Sequence, residues 1–531
     1  MTQPHRRLAL LALAGLASAA LVSVATPAGA DNDHAFLFPG NLLVSRSVYT
    51  GTAGLLTPGV TMLPPGCTGT NCVVATSDGT YPGVWNNDQV DASFGITAPV
   101  FLDQITPNGH YLDTVRVPSR DLVTSFPSKS ELALNLSTDG RFITFMGYAA
   151  PVNGVDVSNS NTPGAIDPTN PVPGSFFRVV ARMDSSGHFT FTETNAYSGN
   201  NGRAAILNDS DGADLYYTAG NGGNGGNPQP AGIITGTGAQ LVTPSRLPER
   251  LQRPGATTPL GSFNITQLGD AADKIGKDTN FRGLTVFDNV VYLTKGSGGN
   301  GVNTVYFIDT TGKACPTGVG VPQPGAPLPT APLSFDPSTV QKTGLPNNMC
   351  VLSGFPTALK SKTAFPFGVW FANPDTAYVA DEGNGDTTFS AATGTYTTAA
   401  GQTTAGLQKW VRTNGVWHLA YTLAGGLNLG VPYQVQGYPS GDNPATGMPW
   451  APATDGLRNL TGRVNHDGTV TVWAITSTVS GASDTGADPN KLVAITDRVS
   501  ATTAGGEHFT TVRSARAGEV LRGVSFTPRF F

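Results

Sequence analysis

Three carboxylates that lie close together, Asp381, Glu382 and Asp386, are by type and spacing the candidates for catalysis. They belong to the run Asp-Glu-Gly-Asn-Gly-Asp, which directly follows a predicted strand. Two carboxyl groups on either side of a glycosidic bond can act as acid and base in sugar cleavage. The oxygens of Asp381, Asn384 and Asp386 would also suit Ca²⁺, although their spacing differs from that of an EF-hand loop. The run therefore predicts either a pair of catalytic carboxylates or a calcium site.

Four arginines, Arg203, Arg282, Arg458 and Arg522, stand at equivalent positions, just before the first apolar residue of a short predicted strand. If these strands surround one axis, the guanidinium groups form a cationic ring suited to a carboxylate, sulfate or phosphate ligand. A structural role is the alternative, in which each arginine pairs with an aspartate or a backbone carbonyl of the next repeat. Glu131 and Phe367 occupy the same position in the two remaining repeats.

Other catalytic motifs are missing from the sequence. The seven histidines are scattered, and no G-x-S-x-G, H-E-x-x-H, Walker or dinucleotide-binding motif stands in a suitable context. Aromatic residues that could stack on sugars are present, and we take five of the tryptophans as candidates for this role: Trp370, Trp410, Trp417, Trp450 and Trp473.

The elements that must position these residues are short strands arranged in a repeat. Residues 281–295 alternate apolar and polar side chains around a turn at Asp288-Asn289, the pattern of two antiparallel strands with one buried face. The same pattern recurs at residues 131–146, 203–217, 367–381 and 458–473, and outer strands follow most of these hairpins. We interpret each repeat as one blade of a β-propeller.

The N-terminal and C-terminal segments of the chain are predicted to form one blade together. Residues 521–526 copy the first strand of the repeat without a partner, whereas residues 41–48, 98–105 and 111–117 supply three strands without a first one. Pairing the C-terminal strand with the N-terminal three closes the ring and removes an exposed edge. We expect a single all-β propeller of six or seven four-stranded blades, with Gly- and Pro-rich loop insertions in residues 50–97, 220–280 and 310–365.

The amino-acid composition agrees with an all-β fold. The 531 residues include 66 Gly and 40 Pro, with 39% hydrophobic and 13% charged residues, which favours short strands and turns over long helices. The net charge of −5 gives no basic surface for a nucleic acid. We expect a monomer.

Residues 1–30 predict a signal peptide, with Arg6-Arg7, an apolar run and a small-residue cleavage site at Ala28 and Ala30. An uncleaved anchor is the alternative, but the run is short for a membrane span. The propeller domain then comprises residues 31–531 of an exported protein, with no membrane span after cleavage. In an oxidising compartment Cys67–Cys72 and Cys315–Cys350 are predicted disulfides, although the Cys67–Cys72 spacing alone also allows zinc.

With its N-terminal strands and its Arg-Gly-Val-Ser-Phe ending, the mature chain resembles a group of secreted bacterial β-propeller proteins of uncharacterised function. The resemblance implies the fold and an extracytoplasmic location. It does not imply an activity, because propellers host binding proteins and several classes of enzyme.

Three classes of function remain open. The first is a secreted or cell-envelope binding protein that recognises an anionic or carbohydrate ligand on one face of the ring. The second is a glycoside hydrolase or polysaccharide lyase that uses the carboxylates and arginines at the channel mouth. The third is an oxidoreductase with a bound quinone or metal, for which the histidines are few.

Overall fold

The computed structural model describes the chain from residue 36 to residue 530 with internal gaps. The described ranges are 36–49, 57, 59–63, 73–75, 95–126, 132–167, 170, 172, 174–222, 238–252, 280–296, 302–315, 317–333, 349–358, 363–444, 446–482 and 485–530. The predicted signal peptide, Cys67, Cys72 and Glu131 lie outside these ranges.

Strands make up most of the described structure. The first half of the chain contains β1 (Leu42–Val48), β2 (Met62–Leu63), β3 (Val73–Val74), β4 (Ile96–Ala98), β5 (Val100–Ile105), β6 (Tyr111–Arg116), β7 (Thr124–Phe126), β8 (Asn135–Leu136), β9 (Ile143–Tyr148), β10 (Arg178–Met183), β11 (Phe189–Thr194), β12 (Gly202–Asn208), β13 (Leu215–Gly220), β14 (Ala239–Val242), β15 (Gly283–Phe287) and β16 (Val290–Lys295).

The second half contains β17 (Thr304–Ile308), β18 (Val319–Gly320), β19 (Met349–Leu352), β20 (Pro366–Asn373), β21 (Thr376–Asp381), β22 (Phe389–Ser390), β23 (Thr395–Tyr396), β24 (Gly406–Thr413), β25 (Val416–Leu423), β26 (Asp442–Asn443), β27 (Met448–Pro449), β28 (Ala453–Val464), β29 (Thr469–Val479), β30 (Lys491–Arg498), β31 (Thr510–Ser514) and β32 (Glu519–Phe526). In the part of the chain that the structure describes, helices are limited to α1 (Thr397–Ala400) and single 3₁₀ turns at Val157–Asn159, Ser210–Gly212 and Thr485–Ala487. Within the described ranges, none of the helices is long and apolar enough to span a membrane.

Six sheets form the blades of a six-bladed propeller, which confirms the predicted all-β class and sets the number of blades at six. From the inner strand outward they are β32-β1-β5-β6 (blade 1), β8-β9-β10-β11 (blade 2), β12-β13-β14 (blade 3), β15-β16-β17-β19-β18 (blade 4), β20-β21-β24-β25 (blade 5) and β28-β29-β30-β31 (blade 6). Four two-stranded ribbons, β2-β3, β4-β7, β22-β23 and β26-β27, lie in the connections between these strands.

Strands from the two ends of the chain share blade 1. The C-terminal strand β32 pairs antiparallel with β1 from Leu42↔Phe526 to Val48↔Glu519, and the other edge of β1 pairs with β5. Blade 1 therefore consists of one C-terminal strand and three N-terminal strands.

The inner strands surround a central channel and approach one another closely. A Cβ atom at Gly283 in β15 would lie 2.3 Å from the carbonyl oxygen of Phe367 in β20, and one at Gly523 in β32 would lie 2.3 Å from that of Leu132. Only glycine allows this spacing between backbones. Residues of all six inner strands line a single cavity of about 490 Å³, which includes Leu136, Ile206, Phe287, Trp370, Leu460 and Phe526.

The two ends of the channel differ in their connections. The first three strands of each blade are antiparallel, so the links from first to second strand lie at the end where the inner strands finish, which we call the turn face. The Asp288-Asn289 turn belongs there, and φ is positive at both residues (47° and 58°), as a two-residue hairpin of this kind requires. Links from second to third strand, and from one blade to the next, lie at the opposite end, which we call the loop face.

Long connections concentrate at the loop face. They include residues 49–99 between β1 and β5, 149–177 between β9 and β10, 382–405 between β21 and β24, and 424–452 between β25 and β28. The segments that follow β14 and β17 are exceptions, because each follows the third strand of its blade and therefore starts at the turn face. The segment after β17 contributes β18 and β19 to blade 4.

Two of the segments that we predict as loop insertions also contain blade strands. Residues 220–280 include β14, the third strand of blade 3, and residues 310–365 include β18 and β19. Glycine and proline mask the strand pattern there. The predicted Cys315–Cys350 disulfide is present with a Cα–Cα distance of 5.6 Å, and it fastens the start of this second segment to β19.

Candidate functional site

The four repeated arginines lie at the loop-face end of the inner strands. Arg203, Arg458 and Arg522 belong to β12, β28 and β32, and Arg282 immediately precedes β15. All four side chains are buried, with residue exposures of 4–8%. The equivalent positions in the sequence thus correspond to equivalent positions in the propeller.

Glu382 joins two of these arginines. It directly follows β21 in blade 5, and its Oε2 accepts a hydrogen bond from Nε of Arg458 in blade 6 at 3.2 Å. Its Oε1 lies 3.8 Å from Nε of Arg282 in blade 4. The carboxylate therefore bridges the two neighbouring blades, an ion pair that agrees with the structural alternative for these arginines.

Arg203 and Arg522 contact neutral groups of adjacent segments. Nη1 of Arg203 donates to the side chain of Asn280 and, at 3.0 Å, to the carbonyl of Phe281, both just before blade 4. Arg522 donates to Oγ of Ser47 at 3.5 Å and to the carbonyl of Ser125 at 3.4 Å. Both side chains thus fasten their blade to a neighbouring part of the chain.

Arg458 differs from the other three arginines, because most of its guanidinium N–H groups have no hydrogen-bond partner among the described residues. Its guanidinium stacks on the Phe367 ring at 5.8 Å from the ring centre, and only its Nε makes a hydrogen bond within the described ranges. A guanidinium carries five N–H donors in a planar fork, so four donors on the two terminal nitrogens remain. This fork matches a carboxylate or sulfate in geometry and charge.

Asp381 is buried at the end of β21 with both oxygens occupied. Oδ2 accepts from the backbone N–H of Phe365 at 2.8 Å and from Nε2 of Gln408 at 3.1 Å, and Oδ1 accepts from the N–H of Gly383 at 3.0 Å. Burial raises the pKa of Asp381 to about 7, although the two backbone hydrogen bonds act in the opposite direction. A carboxyl group enclosed in this way holds the loop and has no oxygen directed at a substrate.

Asp455 in β28 is a second buried carboxyl group that sequence reasoning missed. Its Oδ2 accepts from the N–H of Gly385 at 2.8 Å, and its Oδ1 accepts from Nε2 of Gln402 at 2.6 Å. Burial raises the pKa of Asp455 to about 6. A carboxylate three positions before Arg458, near the start of the predicted strand, was the signal available in the sequence.

The third candidate carboxylate, Asp386, is exposed. Its Oδ1 accepts from the N–H and the hydroxyl of Thr388 at 2.8 and 2.6 Å, which lowers the pKa of Asp386. Oδ1 of Asn384 accepts from the N–H of Asp386 at 2.9 Å. The structure thus places Asp381 and Glu382 in the interior and Asp386 at the surface. The hydrogen bonds of Asp386 and Asn384 stabilise the conformation of the loop.

No group of three or more His, Cys, Asp or Glu side chains arranged to hold a metal ion occurs within the described ranges. The calcium site at Asp381, Asn384 and Asp386 stays a prediction from sequence.

Among the described site residues, positive charge predominates at the loop-face end of the channel. Four buried arginines stand against the carboxylate of Glu382. The pKa values of Asp381 and Asp455, about 7 and 6, place these two groups partly in their neutral form near neutral pH. An anion that enters this end would therefore meet a net positive field.

Four of the five candidate tryptophans are core residues, which corrects their predicted role in sugar stacking. Trp410, Trp417, Trp450 and Trp473 are only 1–6% exposed. Trp370 is partly exposed and lines the cavity at the turn face, where its ring lies against Gly462. Alternation places a tryptophan on one face of a strand, but it does not reveal whether that face meets another blade.

A buried cluster between blades 5 and 6 also escaped the sequence analysis. Lys409 of β24 and Asp497 of β30 are fully buried and form an ion pair at 3.0 Å. The hydroxyl groups of Tyr378 and Tyr421 donate to the same carboxylate at 2.5 and 2.8 Å. The four side chains come from two blades, and the period-2 pattern of single strands gives no sign that they meet.

No family model matches the chain, and no curated protein matches it. Similar solved structures include the Pyrococcus horikoshii acylaminoacyl peptidase (7% identity, TM-score 0.27, 78% of this chain and 41% of that chain). They also include an ulvan lyase of polysaccharide lyase family PL25 (12% identity, TM-score 0.29, 92% and 97%) and the N-terminal domain of Nup159 (6% identity, TM-score 0.27, 93% and 98%). The chain spans less than half the length of the peptidase, and with TM-scores this low the matches carry no argument about function.

Proposed function

We propose that this protein is an exported, non-catalytic β-propeller that binds an anionic ligand at the loop-face end of its central channel. The ligand group is a carboxylate or sulfate, as carried by acidic polysaccharides. The observation that carries the proposal is Arg458, whose Nε is fixed by Glu382 while its terminal nitrogens donate to no described residue.

The surroundings of Arg458 support a binding role. Glu382 and the Phe367 ring hold the guanidinium in one orientation, so little side-chain entropy remains to be lost on binding. The positive charge of the other three arginines favours an anion over a neutral ligand. The long connections between and within blades gather at the same face, where binding loops on rigid scaffolds are commonly found.

Export is supported by two features of different kinds. The predicted signal peptide at residues 1–30 is a property of the sequence. The Cys315–Cys350 disulfide is the kind of bond that persists outside the reducing cytoplasm.

The enzymatic alternatives have less support. Acid–base cleavage of a sugar needs a carboxyl oxygen that can reach the scissile bond. Both oxygens of Asp381 accept hydrogen bonds from the protein, and Glu382 is engaged by two arginines. A specific observation in favour of the oxidoreductase alternative is missing from the described ranges.

The test is titration calorimetry of the mature protein with oligosaccharides of glucuronic acid, sulfated oligosaccharides and neutral oligosaccharides of the same length. We expect saturable binding of an acidic series alone. Arg458→Gln should weaken this binding about 10- to 100-fold, because one charge-assisted contact contributes about 1.5–3 kcal/mol.

The matched control is Arg463→Gln. Arg463 lies on the same strand, β28, but it is exposed near the turn face and stacks on Trp473. Unchanged affinity in Arg458→Gln, or an equal loss in Arg463→Gln, would contradict the proposed site. Release of shortened sugars during the titration would show that the protein is a carbohydrate-active enzyme and not only a binding protein.

A further inference from the structure

A second cationic cleft opens on the loop face between blade 6 and blade 1. It has a volume of about 530 Å³, and Lys491 lies in it. We call it the Lys491 cleft; its lining includes Tyr433, Gln434, Gln436, Lys491, Ser514 and Arg516. Lys491 begins β30, Ser514 ends β31, and the other residues belong to blade-to-blade connections.

Lys491 is held in place by an aromatic ring. Its Nζ lies 3.6 Å from the centre of the Tyr433 ring. The Tyr433 hydroxyl donates to the carbonyl of Pro489 at 2.8 Å, which fixes the ring under the ammonium group. Such a cation–π contact favours the charged form of the amine.

An anionic partner for this amine is missing from the described ranges. Nζ of Lys491 makes neither a hydrogen bond nor an ion pair there, and burial lowers the pKa of Lys491, as expected for an uncompensated charge. Asp488, three residues before Lys491, accepts from the hydroxyl of Tyr438 at 2.8 Å. Glu519, three residues after Arg516, pairs with Arg46 at 2.8 Å and accepts from the backbone N–H of Arg516 at 3.1 Å.

Three other polar side chains of the cleft also lack a bonding partner among the described residues. Gln434, Gln436 and Arg516 are exposed, and their side chains bond to no described residue. The floor is rigid, because Asn490 donates to the carbonyls of Thr476 and Leu521 and accepts from the N–H of Leu521. Two cations and two amides thus surround a preformed space, and among the described residues no carboxylate bonds to their side chains.

We propose that the Lys491 cleft binds a carboxylate-bearing sugar, with Lys491 and Arg516 as partners of the carboxylate and the amides of Gln434 and Gln436 donating to hydroxyl groups. Amide side chains beside a cationic pair are suited to a ligand that carries both hydroxyl groups and a negative charge. This site uses none of the residues of the Arg458 site, so it holds or fails independently of the function proposed above.

The first test is NMR on the mature protein with ¹³C-dimethylated lysines, which keep their charge. The Lys491 signal is identified by its absence in Lys491→Met. We expect glucuronate to shift this signal saturably and to raise the pKa of Lys491, while glucose has no effect. Lys313, an exposed lysine in blade 4, serves as the internal control and should not respond. An unresponsive Lys491 signal, or equal shifts at Lys313, would overturn the proposal.

Calorimetry of variants supplies the second test. Lys491→Met should lower the affinity for glucuronate at least tenfold. Arg516→Gln, which changes an exposed residue and so does not threaten folding, should lower it several-fold; Lys313→Met should leave it unchanged. Binding of acetate as tight as that of glucuronate would overturn the assignment of a sugar. Because the Arg458 site is also proposed to bind carboxylates, these titrations use the Arg458→Gln background. Retention of glucuronate binding in the double variant Arg458→Gln/Lys491→Met would overturn the Lys491 cleft as the site.

Discussion

Arg458 and Glu382 form an ion pair with an Nε–Oε2 distance of 3.2 Å although 76 residues separate them in the chain. Arg458 belongs to blade 6, and Glu382 follows the second strand of blade 5. Because Arg282 of blade 4 approaches the other oxygen at 3.8 Å, one carboxylate connects three consecutive blades. The contact that orients Arg458 in the proposed anion site thus also connects neighbouring blades of the ring.

Glu382→Gln tests this double role. The substitution leaves two largely buried guanidinium groups without their carboxylate, and we expect a loss of about 3 kcal/mol in the free energy of unfolding. Affinity for an acidic oligosaccharide should rise at the same time, because the substitution removes a negative charge beside the proposed anion site while the amide oxygen of Gln can still accept from Nε of Arg458. Urea unfolding and calorimetry on the same preparation measure the two effects.

Asp386→Asn is the control for Glu382→Gln, since it removes one negative charge from the same loop at an exposed position. It should change neither stability nor affinity by more than a few tenths of a kcal/mol. If Glu382→Gln unfolds at the same urea concentration as the parent protein, the carboxylate does not hold the blades together.

The buried carboxyl groups predict an unusual dependence of stability on pH. Burial raises the pKa of Asp381 to about 7, well above its value in an unfolded chain. Between those two pKa values the folded state binds the proton and the unfolded state does not. The contribution of Asp381 to stability is therefore greatest at low pH and decreases as pH rises towards about 7, by up to about 1.4 kcal/mol per pH unit. Asp455, with a pKa of about 6, acts in the same direction.

Urea unfolding at pH 5 and pH 8 measures this effect, and Asp381→Asn should reduce the difference between the two values. Asp386→Asn should not reduce it, because the pKa of Asp386 is shifted in the opposite direction. Equal dependence on pH in the parent protein and in Asp381→Asn would show that Asp381 is charged in the folded protein across this range.

The alternation of apolar and polar residues, together with the turn residues, was sufficient to predict the inner hairpins of the blades. The alternation in residues 281–295 and the Asp288-Asn289 turn correspond to β15, β16 and a two-residue hairpin with positive φ at both turn residues. These features depend on neighbours in the sequence, so the sequence shows them directly. Glycine- and proline-rich stretches hid β14, β18 and β19, because strands of two to four residues between turns carry too little alternation to recognise.

The partners of the site residues could not be predicted in the same way. The equivalent positions of Arg282 and Arg458 predicted that both lie at one end of the channel, but their meeting at Glu382 depends on how neighbouring blades pack. The same holds for Asp455 and for the Lys409–Asp497 pair, whose members come from different strands and blades. Repeat symmetry predicts at what height along the channel an inner-strand side chain lies and which way it points. Contacts between blades depend in addition on the rotation from one blade to the next.

The last prediction concerns the C-terminal strand β32. Its Val520, Leu521 and Val524 are at most 1% exposed, and the strand pairs with β1 along its whole length. Deleting residues 520–531 should remove about 5–9 kcal/mol of apolar burial, which is comparable to the whole stability of a typical protein. We expect the truncated protein to lose cooperative thermal unfolding, as measured by circular dichroism.

Removing only residues 530 and 531 is the matched control, because Phe530 is 45% exposed and lies beyond the strand. This shorter deletion should melt close to the full chain. A synthetic peptide of residues 519–527, added to the longer truncation, should restore cooperative melting in proportion to its concentration, since the open edge of β1 can accept a strand. A longer truncation that melts within a degree or two of the full chain, with or without the peptide, would mean that blade 1 is stable without its C-terminal strand.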